Sequence, residues 1–180
     1  NWVREKSIAA GTEIFEGERV ERFTANGEIE SSKFGRKQYD FVVNAAGPWA
    51  AQMNAQNKID TKYYLRLIRG SHLILDHKVS SFYLFQEPKG GRVVFILPYL
   101  GKTLVGTTEV SQSLSEKTIC TEDERQYLLN VYNSNFKCQV RHSNISSEFS
   151  GLRPIVASHL RLKESYFSVA SREAEVEVVD

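Results

Sequence analysis

Apolar residues in this chain come in short runs separated by turn-forming residues. Between Arg66 and Thr108, runs stand at 73–75 (LIL), 82–85 (FYLF), 93–97 (VVFIL) and 103–105 (TLV). Each has the length of a strand, and the gaps carry Pro88, Gly90 and Gly91 in one and Gly101 and Lys102 in another. Two tight reversals in succession predict an antiparallel meander. The polar residues of this stretch gather at its ends: Ser71 and His72 follow Gly70, while Gly106, Thr107, Thr108 and Glu109 close the last run. Glycine lets a ligand or side chain approach where a Cβ would block it. Each glycine taken alone reads equally as a strand bulge, and His72 as a structural histidine.

Upstream, Ile14, Val20 and Phe23 are spread among charges, and Asn26-Gly27 is a strong hairpin signal, with 28–34 as the returning strand. The segment 37–44 ends in Phe41-Val42-Val43, apolar on both faces as in a buried strand. The pattern predicts a small meander feeding that strand. Asn44-Ala45-Ala46-Gly47-Pro48-Trp49 then places Pro48 in a first helical turn, with a short helix and connection over 50–62. In open α/β sheets ligands gather beyond the carboxyl ends of strands, where helix N-termini offer free N–H groups. A tight turn without a ligand fits the same spacing, and Trp49 serves equally as a core anchor.

Downstream, Lys62 belongs on a solvated face, whereas Arg66 and Arg69 alternate with Leu65, Leu67 and Ile68, so that at least one is expected to point inward. The segment 110–121 is polar and irregular. Thr121 and Glu124 have capping-box spacing, and Tyr127, Leu128, Val131 and Tyr132 recur at helical spacing. They predict a helix that packs on a sheet and carries no chemistry. In Ser150-Gly151-Leu152-Arg153-Pro154, Pro154 restricts Arg153 to extended backbone, which can aim its guanidinium at a carboxylate or phosphate. A structural ion pair is the alternative. A loop is expected over 156–164, strands over 166–171 and 175–179, with Arg172 between them.

The chain has 180 residues, enough for a core without disulfides, and its net charge of +1 calls for no nucleic-acid partner. Cys120 and Cys138 lack metal-site spacing, no apolar run is long enough to cross a bilayer and no signal-peptide pattern is present, so a soluble protein is expected. Trp2, Val3 and Ile8 read as the end of a helix, and the chain opens without methionine; we expect a piece of a longer protein.

The collinear order NAAGPW, RLIRGSHLIL, FILPY, VGTTE, SGLRP and a final strand bearing SR resembles the FAD-dependent glycerol-3-phosphate dehydrogenases from about Phe41 to Asp180. RLIRGSH and VGTTE are its more specific parts. The resemblance implies an α+β fold: an antiparallel-sheet substrate domain with helices on one face, at 62–180 with room for a return to the FAD domain near its end, and part of a Rossmann-type FAD domain at 1–61. It implies that Ala46, Gly47, Pro48 and Trp49 lie at the FAD, and that Gly106, Thr107 and Thr108 lie near flavin and substrate. It further implies that Arg153 and Arg172 hold the phosphate and that His72 removes the hydroxyl proton. The dinucleotide fingerprint does not occur in this stretch, so the piece alone is expected neither to hold FAD nor to be active. Glu109 stands where aspartate is the more usual residue.

The reaction so implied is oxidation of sn-glycerol 3-phosphate to dihydroxyacetone phosphate, with quinone or oxygen as final acceptor. The expected location is cytoplasmic, with room for a peripheral contact on the inner face of the membrane through other parts. Two other readings stay open. One is an amine or amino-acid oxidase, in which Arg153 grips a carboxylate and a second cation is superfluous. The other is a non-catalytic module that carries no flavin.

Overall fold

A computed structural model describes residues 1–86 and 92–157. The expectations placed on Pro88, Gly90, Gly91, Arg172 and the strands after 165 lie outside the described residues. The chain divides into two compact units, and within the described residues these comprise 1–45 with 52–60, and 46–51 with 61–157.

The first unit opens with helix α1 (Trp2–Ala9), which buries none of its residues. Strands β1 (Val20–Phe23), β2 (Glu28–Ser31) and β3 (Gly35–Gln38) form an antiparallel sheet in sequence order. The Asn26-Gly27 reversal is present: Gly27 has φ of +86°, and its N–H donates to the Thr24 carbonyl. A side chain at this position would strike the Tyr39 carbonyl. Phe23 is buried, and its N–H donates to Asn57 Oδ1 at 3.0 Å.

The buried strand expected at 41–43 does not form. Phe41 is 87% exposed and Val43 85%, and among the described residues no strand runs beside them. Apolarity on both faces favours burial, but a strand also needs a neighbour for its N–H and C=O groups, and none of the described elements supplies one. The turn that follows is as expected. Gly47–Trp49 forms a 3₁₀ turn with Pro48 in its first positions, and it leads into α2 (Ala50–Gln56).

The second unit is built on β4 (Tyr64–Leu75), β5 (Tyr83–Gln86), β6 (Val93–Tyr99), β7 (Lys102–Gly106), β8 (Val110–Ser111), helix α3 (Glu122–Asn135) and β9 (Ile145–Ala157). The predicted meander is β5–β6–β7, and its second reversal is a two-residue turn at Leu100-Gly101 with φ of 47° and 79°. Both residues left-handed is the hairpin turn that matches strand twist. The first apolar run, 73–75, is only the end of the twelve-residue β4, which pairs with β7 rather than β5.

One edge of β4 is shared by β7, from His72 to Leu75, and β8, at Ile68 and Arg69. The other edge pairs with β9 along its length, so β9 reaches through Ala157 into the expected loop. Among the described residues β9 pairs only with β4, and an edge strand is where Pro154, without an N–H to donate, is tolerated.

Side chains alternate across the sheet. Leu73, Leu75, Val94, Ile96 and Val105 point to one face and form a core with Leu128, Leu129 and Tyr132 of α3. The helix therefore packs on the sheet as its spacing predicts. It begins with the predicted capping box, in which Glu124 Oε2 accepts from the Thr121 N–H at 3.0 Å and the Thr121 hydroxyl at 2.9 Å. Antiparallel sheets with few helices agree with the expected fold class. No helix among the described residues is long and apolar enough to cross a membrane.

Leu128 is fully buried under the sheet. Leu128→Ala is expected to destabilise this unit by about 2–5 kcal/mol through lost burial and a residual cavity, measured as a lower denaturant midpoint with an unchanged slope.

Candidate functional site

The sheet face away from α3 carries successive cross-strand pairs from β4 and β9: Ile68 with Arg153, Gly70 with Gly151, and His72 with Phe149. Successive pairs on one face are roughly 7 Å apart along the strand. On β7, Gly106 is the other partner of His72. Three glycines thus make a floor on which side chains lie flat.

The His72 ring rests against Gly106, where a Cβ would collide with it, and stacks on Phe149 with ring centres 4.7 Å apart and planes 8° from parallel. Its Nδ1 is buried without a hydrogen-bond partner among the described residues. Burial, and secondarily the charge of Arg153, lower its pKa below the ordinary 6.5. At neutral pH the imidazole is therefore uncharged and able to accept a proton.

The Arg153 guanidinium folds back over Gly70, which has room for it only because it lacks a Cβ. Its Nη2 donates to Thr107 Oγ1 at 2.7 Å, and that hydroxyl donates in turn to the Thr108 carbonyl. Among the described residues nothing lies within 4 Å of where a side chain on Gly151 would begin. Arg153 is thus directed along the sheet face toward the His72 row.

Beneath this face lies a polar network that the sequence reading assigned no role. Glu124, 4% exposed, pairs with Arg69 Nη2 at 2.8 Å and Nε at 3.0 Å. It also accepts from Thr108 Oγ1 at 2.6 Å and Ser71 Oγ at 2.8 Å. Burial pulls its pKa up, but the bonds from Thr108, the Thr121 N–H, Ser71 and Arg69 outweigh that and hold it at about 2. Its folded pKa lies below the ordinary 4.5, so the stability it contributes is present above that value and is lost as pH falls toward about 2. Helix α3 therefore does more than pack on the sheet: its capping acid is also the sheet's buried counter-ion.

Of the predicted residues, His72, Arg153, Gly106 and Thr107 come together on one face. The Gly47–Trp49 turn, preceded by Ala46, lies against β9. Gly47 has φ of +56° with open space where a side chain would begin. Trp49 is 57% exposed and is not a core anchor, because it sits on a turn and not inside a packed layer. Thr108 is buried, and its hydroxyl is taken up by Glu124 and the Ser71 N–H. Arg69 is the inward arginine; Arg66 alternates to the open face. Phe149 was missed, although Phe149, Gly151 and Arg153 at i, i+2 and i+4 mark one face of a strand.

A flat cofactor with an anionic substrate beside it fits this donor set. The glycine floor, the Phe149 ring and a buried, unpartnered imidazole nitrogen suit a planar group and a hydroxyl, and the guanidinium suits an anion. No cluster of three His, Cys, Asp or Glu side chains that could hold a metal occurs among the described residues.

The sequence matches the family described as FAD dependent oxidoreductase (DAO) over residues 1–169. It is 35% identical over 133 residues to the aerobic glycerol-3-phosphate dehydrogenase of Escherichia coli (strain K12), covering 71% of this chain and 26% of that protein. It therefore spans about a quarter of that curated relative's length. Among solved structures, it resembles the glycerol-3-phosphate dehydrogenase from Bacillus halodurans complexed with FAD, with a TM-score of 0.76, 25% identity, and coverage of 86% of this chain and 34% of that one. A glycine oxidase from Geobacillus kaustophilus shares the fold alone, at 18% identity and a TM-score of 0.58, with coverage of 83% and 39%.

Replacing Arg153 by methionine removes the second cause of the lowered His72 pKa and leaves burial in place. The His72 titration, followed by NMR of the imidazole, is expected to move upward in Arg153→Met while staying below 6.5. An unmoved titration would show that the guanidinium does not face the ring.

Proposed function

The chain belongs to the FAD dependent oxidoreductase family, and we propose that the whole protein oxidises sn-glycerol 3-phosphate to dihydroxyacetone phosphate, this stretch supplying the face on which the substrate lies. The observation that carries the reading is the Arg153 guanidinium folded over Gly70, one strand row from the His72 imidazole. A cation and an imidazole on neighbouring rows of one face can engage the phosphate and the secondary hydroxyl of one small phosphate ester. The names of the E. coli relative and the B. halodurans structure support the same substrate.

In this reading Arg153 binds the phosphate, each charge-assisted hydrogen bond contributing roughly 1.5–3 kcal/mol, and Thr107 steadies its fork. Arg172, outside the described residues, is assigned as a second cation for the dianion. His72, neutral and flat against Gly106 and Phe149, accepts the proton of the C2 hydroxyl. FAD, when bound, supplies the acceptor for the electron pair and the hydrogen that leave C2. Gly47, Pro48 and Trp49, with Ala46 before them, offer a turn and its N–H groups to that cofactor. Gly106 and Thr107 border it from the sheet, and Thr108 can do so through its backbone only. We assign 1–61 to the FAD-binding part and 62–180 to the substrate part. Quinone or oxygen takes the electrons onward, and any peripheral membrane contact is made by other parts of the protein.

A second reading keeps the flavin and takes an amino acid or amine as substrate, since one guanidinium fork also suits a carboxylate. Mixing the whole protein anaerobically with glycerol 3-phosphate, while following oxidised-flavin absorbance, separates the two. Bleaching by this substrate and not by amino acids is the expected result. Bleaching by amino acids alone would favour the second reading, and a protein without flavin would sink both.

With the whole protein, Arg153→Ala is expected to raise the KM for glycerol 3-phosphate roughly 10- to 100-fold, as loss of one charge-assisted contact implies, at unchanged flavin content. His72→Gln is expected to slow flavin reduction by about 100-fold or more, with phosphate binding largely retained. Wild-type reduction kinetics in His72→Gln would return the histidine to a structural role.

A further inference from the structure

Three hydroxyl residues of the Glu124 network each lie next to a residue of the opposite face. Ser71 precedes His72, Thr108 follows Thr107, and Ser150 follows Phe149. Ser71 Oγ donates its proton to Glu124 Oε1, so the 2.8 Å contact between the Ser71 and Ser150 hydroxyls is donated by Ser150. Thr108 Oγ1 accepts from the Ser71 N–H at 2.9 Å while donating to the same carboxylate oxygen. These contacts fall where the ladder along β4 passes from β7 to β8, at Gly70 and Ser71, the stretch without a regular strand neighbour on that edge. Here Thr108 bonds Ser71 directly, its N–H donating to the Ser71 carbonyl at 3.3 Å, and one carboxylate on α3 accepts from both hydroxyls.

We propose that Glu124 is a positioning residue for the site on the far face: by holding Ser71, Thr108 and, through Ser71, Ser150, it fixes the spacing between His72 and the Thr107–Arg153 pair. This rests on the reading of His72 and Arg153 as the substrate-handling residues. Arg69 fixes the carboxylate from the side, and is itself held by Gln112 Oε1, which accepts from Nη1 at 2.6 Å. Gln112 in turn donates to the Glu116 carbonyl and Thr118 Oγ1, both at 3.1 Å. The carboxylate is thus saturated with donors and held from α3, β4 and the segment after β8.

The test uses the whole, flavin-loaded protein and the variants Glu124→Gln, Thr108→Val and, as a control, Leu128→Ala. Thr108→Val cuts the tie between the carboxylate and the Thr107 segment while leaving the Glu124–Arg69 pair, so it decides the matter if Glu124→Gln does not fold. Leu128→Ala weakens α3 packing without touching the network. In Glu124→Gln and Thr108→Val the His72 titration is expected to move from its lowered value toward 6.5. Flavin reduction by glycerol 3-phosphate is expected to slow by up to roughly 100-fold, the effect of a displaced catalytic group. Leu128→Ala is expected to lower Tm and to leave both readouts unchanged. Wild-type titration and reduction in Thr108→Val, or equal changes in Leu128→Ala, would overturn the proposal. Failure of glycerol 3-phosphate to reduce the wild-type flavin would instead count against the functional reading, and the His72 titration would still decide the role of Glu124.

Discussion

The buried pair of Glu124 and Arg69 is the constraint on which the second unit depends. Removing two charges from water is costly, and such a pair is not in itself a source of stability relative to apolar residues of the same size. Once present, however, it admits one arrangement. Every lone pair and donor left unsatisfied in a low-dielectric interior is penalised, so α3, β4 and the Thr107-Thr108 segment must meet in the register that satisfies the carboxylate. Apolar packing of Leu128, Leu129 and Tyr132 against Leu73 and Val105 holds the helix on the sheet, but such contacts tolerate sliding. Hydrogen bonds to five donor atoms on Arg69, Ser71, Thr108 and Thr121 do not.

That rigidity matters because the two faces of the sheet have opposite tasks. On the α3 side, branched and aromatic residues fill space. On the other side glycine leaves it empty, and the vacated volume is taken by two side chains: Gly106 receives the imidazole of His72 and Gly70 the guanidinium of Arg153. Both side chains lie along the sheet instead of standing up from it, so their positions follow the strands and not a flexible loop. Phe149 closes the imidazole from the other edge. The cost of this arrangement is a buried ring nitrogen without a partner and a histidine that resists protonation. Both keep the imidazole in its neutral form, the form that the proposed role requires before a proton is taken up.

What was legible in the sequence follows from what each signal measures. The Asn26-Gly27 turn, the Thr121–Glu124 box and the helical spacing of Leu128 and Tyr132 are local, and they are found where expected. The start of β4 was hidden because Arg66 and Arg69 interrupt its apolar pattern; one is paired with a helix acid 55 positions away, which no local window can show. Glu124 was understood as a cap because capping is local, whereas its bonds to Ser71 and Thr108 arise only on folding. The 41–43 segment failed in the opposite sense. Its composition asks for a buried strand, but strand formation depends on neighbours that composition does not supply.

The strand β9 brings the remaining pieces together. As an edge strand it admits Pro154, which holds Arg153 extended, and it lies beside the Gly47–Trp49 turn. Its alternate positions place Phe149, Gly151 and Arg153 on the open face, while Ser150 points back into the Glu124 network. One strand therefore carries the ring that stacks on the histidine, a glycine of the floor and the cation, and it is keyed to the α3 side by the Ser150 hydroxyl and by Glu148, which accepts from Arg125 Nε and Nη2 at 2.6 Å. A register slip of one residue in β9 would turn all three inward and bring Ser150 out. The Gly70–Gly151 pairing and the Ser71–Ser150 hydrogen bond thus fix which side chains this face presents.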